Sequence, residues 1–203
     1  KIFSNTRKPE GFLGRMMVNG MNGGSHARLA EWGLSYVKVA EDADVLDVGC
    51  GGGANIARHL MRCPRGTVTG IDYSDVSVKK SQEVNAAAIA AERCKVVEGN
   101  VADMSFDEGS FDLVTAFETV YFWTSIEECF REVRRVLKEG GSFAVVNEDD
   151  GLTGNNAKWE KLVEGMHTHT PDELRTHLLA AGFSDITVHD DDKRHWLAVI
   201  AVK

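Results

Sequence analysis

Proline and cysteine are both sparse, at three and four in 203 residues. Pro9, Pro64 and Pro171 are isolated, and no low-complexity tract or internal repeat occurs. Cys50, Cys63, Cys94 and Cys129 form no CxxC pair, which argues against a zinc knuckle and against a disulfide framework. A reducing cytoplasm is the expected location. No apolar run approaches the roughly 20 residues that span a bilayer; the longest is Trp196 to Val202. No apolar block follows Lys1, Arg7 and Lys8 before Gly11, so a secretory leader is not expected. Basic residues are also in deficit, with 23 Lys and Arg against 31 Asp and Glu and a net charge of −8. That disfavours a polyanion such as nucleic acid as the main partner. The charge is uneven: residues 1–28 carry five basic and one acidic side chain, residues 148–192 three basic and eleven acidic.

What is present is an alternation of short β-branched runs with helical patterns, in a length that suits one domain. Strands are predicted at 45–48, 67–71, 94–98, 111–116, 142–146, 185–189 and 196–202. Between them lie a helix bearing Ile56 and Leu60, one from a Ser74 cap to about Ala91, and one from Ser125 with Ile126, Cys129, Phe130, Val133 and Leu137 on its buried face. Ser125 with Glu128 reads as a capping box, as does Thr170 with Glu173, and Gly140 and Gly182 close their helices. Strands separated by helices pair in parallel, whereas the tight segment Asp190 to Arg194 permits only an antiparallel pair. The expected fold is α/β: a doubly wound, mostly parallel seven-stranded sheet with a C-terminal antiparallel strand and an N-terminal helical arm. The arm is residues 1–43, with two helices, the second including Leu29, Trp32 and Tyr36. Residues 44–203 form the main domain. Residues 147–169, with Trp159, Leu162, Val163 and Met166 at helical spacing, are expected to be a lid-like insert.

The chemistry concentrates at Asp47-Val48-Gly49-Cys50-Gly51-Gly52-Gly53, where a strand ends and a helix begins. Glycines there let a ligand approach the backbone, and the helix start offers unpaired N–H groups. Gly49, Gly51 and Ala54 also satisfy the dinucleotide fingerprint, with Asp72 at the end of the next strand, so a nicotinamide or flavin enzyme competes at this point. Asp47 counts against a pyrophosphate and favours an ammonium or a sulfonium. The 43-residue arm, the terminal hairpin, and the blocks Phe111 to Val114 and Arg135 to Gly141 point the same way.

In these residues the sequence resembles the class I S-adenosylmethionine-dependent methyltransferases, from about residue 44 to the end. DVGCGGG, GIDYS, EGNVADMSF and FDLVTAFE stand in the order of the family's first four motifs, followed by RVLKEGG. The likeness is greatest to the small-molecule branch that includes ubiquinone and menaquinone biosynthesis C-methyltransferases. The resemblance implies a Rossmann-like fold, S-adenosylmethionine as cofactor, S-adenosylhomocysteine as product and a small-molecule acceptor. It further implies that Gly49, Cys50 and Gly51 close against the methionine portion, with Asp47 towards its ammonium. Asp72 would take both ribose hydroxyls, Tyr73 the adenine face, Asn100 and Val101 the adenine edge, and Phe117 the methionine end. Gly99-Asn100-Val101 stands where the family usually has Gly-Asp-Ala. No Asn/Asp-Pro-Pro-Tyr motif follows the fourth strand, which counts against a nucleic-acid methyltransferase.

Methyl transfer from a sulfonium needs alignment and exclusion of water, and a base only when the acceptor arrives protonated. Glu118 is the leading base candidate. His26 can bind the cofactor's carboxylate, serve as an acceptor-side base, or fasten the arm. Tyr121, Phe122 and Trp123 are placed to face the sulfonium. His167 and His169 share one face of an extended segment, but no third ligand at metal spacing is evident, so no metal is expected. The readings kept beside methyl transfer are a nicotinamide-dependent oxidoreductase and a non-catalytic S-adenosylmethionine-binding protein.

Overall fold

The structure, a computed structural model, describes residues 24–154 and 156–203. Seven strands form one sheet: β1 (Val45–Val48), β2 (Val68–Asp72), β3 (Cys94–Glu98), β4 (Phe111–Phe117), β5 (Leu137–Asn147), β6 (Ser184–Asp191) and β7 (Trp196–Val202). Their order is β3-β2-β1-β4-β5-β7-β6. The first five run parallel, and β7 is antiparallel to both β5 and β6. The expected single reversed strand is therefore present. Spacing alone requires β6 beside β7 without saying which of them reaches β5. Apolar β7, largely buried on both faces, takes the inner place, and β6, with exposed residues along its length, takes the edge.

Helices cover both faces. Val45 packs with Ile56 and Val78, beneath α2 (Ala54–Arg62), α3 (Asp75–Val84) and α4 (Ala86–Ala90). Leu46 and Val48 point the other way, into a cluster with Phe130 of α5 (Ile126–Val136) and Leu174 of α7 (Pro171–Ala180). Strand alternation thus turns Asp47 and Thr115 towards α2. The helix α1 (Ser25–Leu34) packs Leu29 on Val146 of β5 and Ala198 of β7. Its backbone comes so close that a Cβ at Gly33 would lie 2.6 Å from the Val146 methyls. Tyr36, expected inside this helix, follows it and stacks on His189 at 3.9 Å. The first expected arm helix lies outside the described residues.

Four local expectations are corrected. The helix predicted from Ser74 to Ala91 breaks at Asn85, whose amide donates to the carbonyls of Gly53 and Ser81, both at 3.0 Å. A tertiary contact with the glycine loop outweighs helix continuity there. Ser125 forms no capping box: it adopts φ 55°, and its side chain makes no cap bond. Packing of Ile126, Cys129 and Phe130 sets the entry to α5 instead. That helix stops at Val136, and Gly140 and Gly141 fall between the Phe111–Leu137 and Leu113–Ser142 pairings, where the register shifts. In the 147–169 excursion, α6 (Ala157–Leu162) ends before Met166, and of the four residues at helical spacing Trp159 and Leu162 are exposed and Val163 alone is buried. By contrast, Ser74 caps α3, and the Thr170–Glu173 capping box with Pro171 opens α7 as predicted.

Candidate active site

Strand order reverses around β1, and the loops beyond the carboxyl ends of β1, β2, β3 and β4 enclose a crevice, where this class of sheet binds ligands. The cavity measures about 250 Å³. Gly49, Gly51, Asp72, Tyr73, Asn100 and Val101 form one side, and Phe117, Glu118, Phe122 and Trp123 the other. A narrower crevice of about 50 Å³ continues under α1, where His26, Asn55 and Arg58 face Gly49 to Gly52. The two share Gly49, Gly51, Phe117 and Glu118.

The glycine loop is bent by its surroundings. Gly49 (φ 72°) donates to the Ile71 carbonyl at 2.8 Å, and a Cβ there would strike Thr119 Oγ1 at 2.3 Å. Gly51 (φ 51°) leaves open space where a side chain would be, and its N–H donates to Asp72 Oδ2 at 2.9 Å. Asp72 Oδ1 accepts from the Ser74 N–H at 2.9 Å. Burial raises the Asp72 carboxyl above its ordinary pKa, against the lowering effect of these two N–H groups. The Ser77 hydroxyl and the Tyr73 N–H also act on this carboxylate, so a ligand diol would share its oxygens with them. Tyr73 stands half-exposed on the same wall, 38% accessible. Asn100 Oδ1 accepts from the Ala102 N–H at 3.0 Å, so a ligand donor would share that oxygen. Cys50 is buried with its thiol towards Ser81 Oγ (3.8 Å), and burial pushes its pKa well up, as suits a packing residue.

The structure keeps Asp47 off both cavity walls. It is 1% exposed, Oδ1 accepts from the Thr115 hydroxyl at 2.8 Å, and Oδ2 has no partner among the described residues. Thr115 Oγ1 in turn lies 3.1 Å from Nε2 of buried His59. The Asp47 pKa rises to about 7, through burial first and the nearby Asp72 charge second, while burial lowers His59 to about 3. A carboxyl with a raised folded-state pKa stabilises the fold below its unfolded value near 3.8 and loses that contribution as pH rises through about 7. His59 acts oppositely below about 6.5, so the parent curve alone hides the effect. Asp47→Asn is therefore expected to gain on the parent by about 1.4 kcal/mol per pH unit between roughly pH 4 and 7. Urea unfolding of both proteins across that range checks the slope.

Glu118 sits in the left-handed region (φ 56°) just beyond β4. Its Oε1 accepts from the Tyr121 hydroxyl at 3.1 Å and from the Glu148 N–H. Burial, then the charge of Glu148, pushes Glu118 to about 8. Tyr121 lines neither cavity; its hydroxyl accepts from the Asp149 N–H at 3.3 Å, so it orients Glu118 and ties the start of the excursion to β4. Of the three aromatic candidates, only Phe122 and Trp123 reach the cavity wall. His26 reaches the narrower crevice, and one ligand-capable atom each of His26, Glu118 and Glu148 lies within 4.8 Å of the others. Glu148 and Arg58 were not singled out from the sequence. The signals were there: Glu148 lies just past the fifth strand, on the same sheet edge as Glu118, and Arg58 follows Ala54 by one helical turn.

Residues 46–145 match the family described as a methyltransferase domain. That stretch, just under half of the chain, is thus similar to a methyltransferase domain. The cycloartenol-C-24-methyltransferase of Arabidopsis thaliana is 33% identical over 120 residues, covering 58% of this chain and 35% of that protein. The malonyl-[acyl-carrier protein] O-methyltransferase of Geobacter sulfurreducens is 29% identical over 170 residues, covering 79% of this chain and 62% of that protein. The chain thus spans less than two thirds of the length of either relative. Among solved structures, a methyltransferase from Aquifex aeolicus superposes with TM-score 0.72 at 18% identity, covering 92% of this chain and 97% of that one. The [4+2]-cyclase SpnF superposes at 0.76 and 19% identity, covering 88% and 82%. At such identities the likeness shows the fold, which a cyclase shares, so the reaction must be argued from the site. The nicotinamide alternative gains no support from these matches. No helix among the described residues is long and apolar enough to cross a membrane.

The cavity suits S-adenosylmethionine on its own geometry. A carboxylate clamped between two backbone N–H groups faces a glycine with room beside it, and a half-exposed ring flanks both.

Proposed function

We propose that this protein transfers a methyl group from S-adenosylmethionine to a small-molecule acceptor. Asp72 carries the reading: its carboxylate ends β2, is held by the Gly51 and Ser74 N–H groups, and borders the cavity. Two acceptor oxygens in one plane suit a vicinal diol. Tyr73 would lie against the adenine, Asn100 and Val101 would meet its edge, and the glycine loop, with Cys50 at its base, would close on the methionine portion. His26, Asn55 and Arg58 line the narrower crevice, a setting that suits the methionine carboxylate. Asp47 would act through the loop rather than by contact. When bound, S-adenosylmethionine supplies an electrophilic methyl on a good leaving group. Phe122 and Trp123 exclude water and offer ring faces to positive charge. Glu118 would remove a proton from an acceptor that arrives protonated.

The acceptor side is proposed to be built by the 1–43 arm and the 147–169 excursion, since His26 and Glu148 meet Glu118 there. The net charge of −8 supports a small acceptor over nucleic acid. The four buried, unpaired cysteines support a reducing cytoplasmic setting. Calorimetry with S-adenosylmethionine and S-adenosylhomocysteine is expected to show saturable binding of both. A radiolabelled-methyl screen across quinols, thiols, amines and phenols should then find an acceptor. Lack of binding removes the proposal, and binding with no transfer to any class favours the non-catalytic reading.

A further inference from the structure

Away from the cleft, the end of the excursion gathers histidines. The rings of His167 and His169 meet edge to face at 4.4 Å, and His169 lies 5.8 Å from His177 of α7. The tertiary structure adds what stands opposite them. Glu173 is the third residue of α7, and the capping box folds it back over Thr170, where Oε2 accepts from the backbone N–H (2.8 Å) and the hydroxyl (3.0 Å). That leaves Oε1, 3.6 Å from His167 Nε2. One ligand atom each of His167, His169 and Glu173 lies within 4.8 Å of the others. His169 is only 6% exposed, yet its Nδ1 has no partner among the described residues. A buried imidazole nitrogen without a partner is uncommon and calls for an explanation. The surrounding charge favours a cation: Glu160 Oε1 stands 3.9 Å from His167 Nδ1, and Glu127 Oε1 3.2 Å from His177 Nδ1.

We propose that His167, His169 and Glu173 bind a divalent transition-metal ion of the zinc class. Two imidazoles and one carboxylate suit such an ion better than calcium or magnesium, which prefer all-oxygen sites. Metal–ligand bonds of roughly 2.0–2.2 Å require the three atoms to draw together to about 3.3 Å. Exposed His167 can make that adjustment, while buried His169 and capped Glu173 are already held. Three protein ligands leave one position for water. The ion staples the excursion to the start of α7. Because the His167 N–H donates to the Tyr121 carbonyl at 2.8 Å, the staple also steadies the segment beside Glu118. This site does not depend on the methyl-transfer reading.

The test uses tag-free protein stripped with chelator, titrated near neutral pH with Co²⁺ by visible absorption and with Zn²⁺ by calorimetry. One equivalent of Co²⁺ should bind with d–d bands of low coordination number, and Zn²⁺ should displace it. His169→Ala and Glu173→Gln should each weaken binding at least tenfold. A glutamine keeps the capping box, so loss of metal with an unchanged circular dichroism spectrum reads a ligand and not a broken helix. Glu148→Gln, in the separate trio at the cleft, should leave binding unchanged. Absence of the bands, binding retained within tenfold in Glu173→Gln, or binding lost in Glu148→Gln would overturn the proposal.

Discussion

Replacing Asp72 with alanine is expected to weaken S-adenosylmethionine binding by about 2–4 kcal/mol, roughly 30- to 1,000-fold. The side chain has two tasks. Its oxygens accept from the Gly51 and Ser74 N–H groups and so set the loop, and the same oxygens face the cavity where ribose hydroxyls would donate. Alanine therefore also leaves two backbone donors without an acceptor, each worth about 1–3 kcal/mol if water cannot reach it. The apo variant should melt lower than the parent, and cofactor affinity should be measured where both remain folded. Asparagine is not a gentle control, because its NH2 group must confront one of two N–H donors. Calorimetric titration decides the matter, and a loss below tenfold would mean that ribose is held elsewhere.

Glu118→Gln is expected to lower kcat by about 10²- to 10⁴-fold for an acceptor that must lose a proton, the usual range for a positioned base. The parent rate should climb with pH and level off above about 8, because burial and the Glu148 charge keep Glu118 protonated below that value. Only the carboxylate can accept a proton, so the sign is fixed: activity falls as pH drops. Glutamine should flatten the profile. Tyr121→Phe removes a hydroxyl that donates to the carboxylate, so the midpoint should move upward while the plateau rate survives. A midpoint that stays put in Tyr121→Phe would deny Tyr121 its positioning role. A parent rate independent of pH across this range would mean that the acceptor needs no base.

Much of this was legible in the chain. The strands were placed within a few residues because β-branched runs bounded by glycine and capping residues are local signals, and the Thr170–Glu173 capping box is local too. Asp72, Tyr73, Asn100, Val101 and Phe117 reach one cavity because each lies at or just past the carboxyl end of a strand, a position that the alternation itself marks. The misreadings share a cause. Ser125, Asn85 and Gly140 carry ordinary local signals that are overridden by long-range contacts: core packing at α5, the Gly53 carbonyl, and the pairing of β4 with β5. Trp159 and Leu162 show helical spacing, yet both stay substantially exposed, since periodicity marks a face but not how deeply it is buried.

The sequence by itself determined the α/β class, the glycine loop at the first strand and the carboxylate at the second, because backbone permissiveness and strand alternation are properties of near neighbours in the chain. Only the tertiary structure decided that β7 lies inside β6, that Asp47 points away from the crevice to Thr115, and that Tyr121 stands behind Glu118. The same holds for the pairing of Glu118 with Glu148 and of His169 with Glu173. Each of these depends on which side chains converge from distant segments, and burial then sets their charge, as in the rise of Glu118 to about 8. Residue type supplied the titratable groups; desolvation and neighbours, which exist only once the chain is folded, decided what those groups can do.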